Sequence, residues 1–173
     1  MHQTKWFERK FDFNIAEDIF PSILERLEGT PVRLKEKCKK IPLNFLSVRL
    51  NNTWSIKENI GHLSDLETWQ QRIEDIVNEN PELQAADLQN KKTDLAIHNN
   101  TPVKELLLTF RKLRLQTIAI IENLNDAAFL KSSFHPRLKK PMRIVDLFLF
   151  VAEHDDHHLA RISELVRILK SDF

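Results

Sequence analysis

Residues 153–159 read Glu153-His154-Asp155-Asp156-His157-His158-Leu159. His154 and His158 stand four residues apart, so on a helix they lie one above the other on one face. Two neutral imidazoles one turn apart can share a divalent cation. At about 100° per residue, Leu147, Val151, Ile162, Leu165 and Leu169 fall within roughly 80° of His154, so both rings lie in the apolar stripe. His157 falls about 60° to the other side, and Asp156 on the opposite face. A buried ring needs a polar partner, because an unpaired buried polar group costs about 1–3 kcal/mol. A shared metal would serve both rings. Hydrogen bonds to carboxylates or backbone carbonyls would serve as well, and this helix alone leaves the two open.

Working outward, the rest of the chain predicts three more long helices. Ser55 with Glu58 three residues on is a capping box, which starts a helix running to about Asn78. In it His62 shares a seam with Leu66, Trp69, Ile73 and Ile76. Gly61 stands beside His62 in mid-helix, where it costs about 1 kcal/mol relative to Ala. A glycine there suggests that something packs closely. Residues 15–40 are helical in pattern, and Thr30-Pro31 marks either a kink or a second start. Thr101-Pro102 opens another helix, with Leu106, Phe110, Leu113, Thr117, Ile120 and Leu124 inward. On it Arg111 reads as solvated and Arg114 less clearly so. Residues 79–101 and 125–141 read as connections. The first is a candidate pocket rim in which His98 is solvated. The second carries the basic run Arg137 to Lys140 as a surface loop. The expectation is an all-α, up-down four-helix bundle over residues 15–173, preceded by an aromatic arm, residues 1–14, with Trp6, Phe7, Phe11 and Phe13.

Composition sets the outer limits. The chain has 173 residues, a formal net charge of +1 and two glycines. Near-neutral charge argues against a nucleic-acid partner, and two glycines leave no material for Gly-rich phosphate loops. The single Cys38 permits no intrachain disulfide and reads as a small buried hydrophobe, as expected in a reducing cytoplasm. No signal peptide and no run long enough to span a bilayer are visible, so no membrane partner is expected.

The stretch from Trp54 through Leu63, with Asp65 and Glu67 after it, resembles the DinB/YfiT-like superfamily. So do residues 153–159 and the lead-in Pro141-Met142-Arg143-Ile144-Val145-Asp146-Leu147. The arm before about residue 15 lies outside the resemblance. The resemblance implies a four-helix bundle, often a homodimer, with zinc or nickel held by three histidines, here His62, His154 and His158. It also implies chemistry on a small-molecule substrate. Relatives include S-transferases that use low-molecular-weight thiols such as bacillithiol or mycothiol, and a thiol-dependent isomerase. Three imidazoles leave a coordination position open, the mark of a catalytic rather than a structural site. The leading expectation is transfer of such a thiol to an electrophile. The alternative is hydrolysis by water activated at the metal. That alternative needs a base, for which Glu58 is the candidate, although its capping role competes. Asp65, Glu153 and Asp155 are candidates to orient the ligand rings. A non-catalytic, stress-associated binding bundle is the alternative of another class.

Overall fold

The structure is a computed structural model that describes residues 3–172. Its elements are α1 (Phe20–Cys38), α2 (Ile56–Asp65), α3 (Gln70–Val77), α4 (Lys91–Leu95), α5 (Val103–Glu122), α6 (Asp126–Phe129), β1 (Ser132–His135), β2 (Lys140–Arg143) and α7 (Ile144–Asp172). The expected four-helix bundle is present, built from α1, α2, α5 and α7. The main packing pairs are α1 with α7 and α5, and α2 with α5 and α7.

The α1 helix runs unbroken through Pro31. Proline has no N–H, so the carbonyl four residues back, that of Leu27, loses its helical donor. Nη1 of Arg114 supplies one at 3.3 Å. The Thr30 hydroxyl donates to the Arg26 carbonyl at 2.9 Å. The Thr30-Pro31 signal is thus absorbed within one helix.

The capping box of α2 is complete. Ser55 Oγ accepts from the Glu58 N–H at 3.2 Å, and Glu58 Oε2 accepts from the Ser55 N–H at 2.8 Å. The helix expected to reach Asn78 stops at Asp65 and resumes as α3. Between the two, Glu67 turns inward onto Arg114 while Trp69 enters the core. An ion pair and an aromatic ring at positions that one straight helix could not both bury override the local helical period.

The connections are more ordered than the sequence suggests. Residues 132–143 form an antiparallel hairpin, with Ser133 opposite Met142 and His135 opposite Lys140. Lys139, at φ 55°, takes the left-handed conformation of its turn. Leu83 N–H donates to the Phe134 carbonyl at 2.9 Å, which ties the 79–101 connection to β1. Arg137 is turned inward against Phe7 and Phe150, with its guanidinium 5.4 and 5.8 Å from the two rings, so the basic run is only partly a surface loop.

Among the described residues the core forms two clusters. One gathers Ile23, Leu27, Ile73, Ile76, Leu147, Phe148 and Val151. The other gathers Leu34, Ile56, Ile60, Phe110, Ile162, Leu165 and Leu169. His154 and His158 occupy the interval of α7 between them. The aromatic arm packs on the body, with Trp6 at 5.0 Å from Phe150 and Phe11 at 5.0 Å from the same ring, centroid to centroid. No helix among the described residues is long and apolar enough to cross a membrane.

Candidate metal centre

His62 comes from α2 and His154 and His158 from α7; all three are buried. One ring nitrogen from each lies within 4.8 Å of the others. The Nε2 atoms of His154 and His158 are 3.2 Å apart. The rings meet because α2 packs on α7 and each histidine occupies an apolar seam position, as the periodicity predicts.

Neighbouring groups determine where the protons sit. Asn59 donates from Nδ2 to the carbonyls of Trp54 and Ser55, at 3.3 and 2.8 Å. Its Oδ1 therefore faces His158 Nδ1, 2.8 Å away, and accepts a proton from it. The Thr93 hydroxyl donates to Asp65 Oδ2 at 2.8 Å, so its oxygen is free to accept from His62 Nδ1 at 2.9 Å. With Nδ1 protonated in both rings, the Nε2 lone pairs of His62 and His158 point into the site. Burial keeps the rings neutral: it pushes His62 down to about 4 and drives His154 and His158 well below the usual histidine range. Neutral, buried imidazoles with lone pairs converging from two helices fit a divalent cation, and the bonds from Asn59 and Thr93 that orient two of the rings are already in place.

The site opens onto a cavity of about 850 Å³. Trp54 packs on His62 at 4.6 Å and Trp6 meets His154 edge-on at 4.8 Å. Phe7, Trp69, Phe150 and His157 complete much of the apolar wall, while Arg72, Arg137 and Arg161 bring positive charge.

The other candidates fall elsewhere. Glu58 does not line the cavity; it caps α2 and accepts from Arg49 Nε at 2.9 and 3.0 Å. Burial acts to raise its pKa, but the Arg49 and Ser55 bonds outweigh this and hold it below the usual carboxylate value. A carboxylate so engaged is not the base proposed from sequence. Asp155 orients no ligand ring but pairs with Arg114, at 2.6 and 3.1 Å. Glu153 pairs with Arg26 at 2.7 Å and Arg9 at 3.4 Å. Asp65 does support a ligand, one step removed, through Thr93. His98 is not solvated: it is buried, lies 2.8 Å from Asp65 Oδ2, and occupies the space a Cβ on Gly61 would enter, 2.3 Å from its ring. Gly61 was the one sequence signal for this neighbour. Nothing in the local pattern marks Asn59, Thr93 or His135, because their roles depend on which loop folds over which helix.

Arg114 is 1% exposed and holds Glu67 at 2.8 and 2.9 Å as well as Asp155. Burial opposes its charge, yet the two carboxylates overcome this and raise its pKa. The guanidinium thus joins α1 through Leu27, the turn after α2 through Glu67, and α7 through Asp155.

No curated protein matches the sequence. Among solved structures, YfiT from Bacillus subtilis is described as a probable metal-dependent hydrolase with an unusual four-helix bundle topology. It aligns over 94% of each chain with a TM-score of 0.79 at 20% identity, which shows a shared fold. The sequence itself matches the DinB superfamily over residues 26–162, most of its length, and the chain belongs to that superfamily.

Proposed function

We propose that this protein is a metal-dependent enzyme that transfers a low-molecular-weight thiol to an electrophilic small molecule. The observation that carries the reading is the convergence of three neutral, buried imidazoles, those of His62 and His158 with Nε2 lone pairs directed inward, at the wall of a cavity large enough for a substrate. His62, His154 and His158 would hold the metal, with zinc and nickel the proposed ions. When bound, the metal supplies Lewis acidity at an open position and lowers the pKa of a sulfur or oxygen ligand placed there. Asn59 and Thr93 keep the rings in the binding tautomer, and Trp6 and Trp54 shield the site from water.

The carboxylates of the cavity favour sulfur over water as nucleophile. Asp65 is held by Thr93 and His98, and Asp87 accepts the N–H groups of Gln89 and Lys91 at 3.0 and 2.6 Å. Both carboxylates are thus partly committed to the fold, whereas a thiol that has ionised needs no base at the moment of attack. The chain's own thiol is not the nucleophile. Cys38 lies in the second core cluster and burial pushes it up to about 11, so the thiol must come from solution, with bacillithiol a candidate.

Hydrolysis is the second reading, supported by the description of YfiT and by His157. That ring lines the cavity, burial pushes it down to about 4, and its Nδ1 is buried without a hydrogen-bond partner among the described residues. Its neutral ring on the cavity wall is the candidate base for this reading. Purified protein should contain near-stoichiometric zinc or nickel by elemental analysis, lost in His62→Ala. Turnover of a panel of electrophiles should require added thiol. Turnover without thiol, abolished in His157→Gln, would replace transfer by hydrolysis. Metal-free protein that takes up neither ion would end both readings.

A further inference from the structure

We propose that Arg72, Arg137 and His135 form an anion-binding subsite on the wall of the same cavity, built to hold a carboxylate or phosphate group. Calling that anion part of the substrate rests on the metal-enzyme reading above; the subsite itself stands on the three side chains.

Arg72 lies on α3 and is 7% exposed, yet no carboxylate reaches it among the described residues. Its Nε donates to the Gln84 carbonyl at 3.2 Å, and its two Nη groups have no hydrogen-bond partner among the described residues. Asp75, three residues on, spends its oxygens on the Gln84 N–H, Asn80 and Gln71. Arg137, from the β1–β2 turn, is half-buried against Phe7 and Phe150, and its guanidinium has no hydrogen-bond partner among the described residues. His135 Nδ1 accepts the N–H groups of Arg137 and Leu138 at 3.2 and 3.3 Å, which puts its proton on Nε2. All three residues line the cavity.

The pattern is unusual within this protein. Arg9, Arg26, Arg33, Arg49, Arg114, Arg143 and Arg161 each pair with a carboxylate, while Arg111 and Arg167, with no such pair among the described residues, are exposed. Arg161 also lines the cavity, but Glu164 holds it at 2.5 Å. The Arg72 guanidinium feels Asp75 only at a distance and lies 5.8 Å from the Trp69 ring, so its Nη groups keep their donors for a ligand in the cavity. Burial lowers the pKa of Arg72; the nearby charge of Asp75 opposes this, and the charge of Arg137, on the wall of the same cavity, adds to the lowering. An oxyanion between Arg72 and Arg137 would offset their like charge and satisfy the forked donors bidentately. His135, neutral because burial and the two arginines push it down to about 4, would add a third donor.

The test is calorimetric titration of the protein, with and without added zinc. Succinate and phenyl phosphate are the probes, and succinamide is the uncharged control. Either anion should bind and succinamide should not; the tighter of the two identifies the group as carboxylate or phosphate. Arg137→Gln removes no protein hydrogen bond and should weaken anion binding about tenfold or more, as should Arg72→Gln. Binding of neither anion, equal binding of succinamide, or unchanged affinity in folded Arg137→Gln would overturn the subsite. Zinc uptake is scored separately. Anion binding without zinc uptake would sink the metal reading and keep this one, and zinc uptake without anion binding would do the reverse.

Discussion

Thr93 contacts no metal-directed atom, yet its replacement by valine should damage the metal site. Valine keeps the shape of the side chain and removes the hydroxyl that links His62 Nδ1, at 2.9 Å, to Asp65 Oδ2, at 2.8 Å. His62 then loses the acceptor that places its proton on Nδ1, and the ring is free to rotate or change tautomer. Loss of such an outer partner lowers metal affinity about 10–100-fold, equivalent to about 1.4–2.7 kcal/mol. The metal-free protein should also lose about 1–3 kcal/mol of stability, since a buried N–H is left unpaired. Zinc affinity would be measured by competition with a chromophoric chelator, and stability by denaturant unfolding of the stripped protein. A variant that is less stable but binds zinc as tightly as wild type would refute the reasoning. It would mean that Thr93 supports the fold and that α2 alone aims the ring.

Four further outcomes follow from the same geometry. Gly61→Ala drives a methyl to 2.3 Å from the buried His98 ring and should destabilise by about 1–3 kcal/mol; His98→Ala in the same chain should restore much of that, measured as a double-mutant cycle. Arg114→Met strands two buried carboxylates and should cost about 3–5 kcal/mol, whereas changing Arg114, Glu67 and Asp155 together to apolar residues should recover most of it in thermal unfolding. The stripped protein should lose stability on acidification. The folded His62 titrates near 4 and the unfolded one near 6.5, so the unfolded state holds more protons between those values and stability falls as pH drops through that window. Between pH 7 and pH 5 this amounts to on the order of 2 kcal/mol from His62 alone, measured by denaturant midpoints. Cys38, buried with its pKa pushed up to about 11, should resist maleimide in the native protein and react once unfolded; rapid native labelling would contradict its placement.

The helices were legible because each carries its apolar residues at one period, and the three histidines because they occupy that same period on α2 and α7. What periodicity cannot show is a contact whose two halves lie far apart in sequence. Thr93 reaches His62 across 31 positions, and Arg114 reaches Glu67 across 47. Arg114 read as ambiguous because its partners sit on other elements. The break after Asp65 was hidden because Leu66, Trp69 and Ile73 keep a helical spacing even where the backbone turns. The hairpin was hidden in a segment whose Pro136 and Pro141 read as loop punctuation, although Pro141 in fact lies at the edge of a two-stranded ribbon. Glu58 illustrates the opposite case: a capping box visible from residue types alone outcompeted a catalytic role, and the coordinates give it the cap.

The Arg114 junction has a consequence for which ions the protein can accept. One guanidinium grips the strand of chain just past His62 and the residue next to His154, and steadies α1 at the carbonyl that Pro31 leaves open. The spacing between the two ligand-bearing helices is therefore set from outside the coordination sphere, before any ion arrives. An opening of preset width discriminates by ionic radius and preferred bond angle, so a cation of the wrong size must work against an electrostatic clamp rather than against a pliable loop. Loosening that clamp while keeping all three imidazoles should broaden the range of metals taken up.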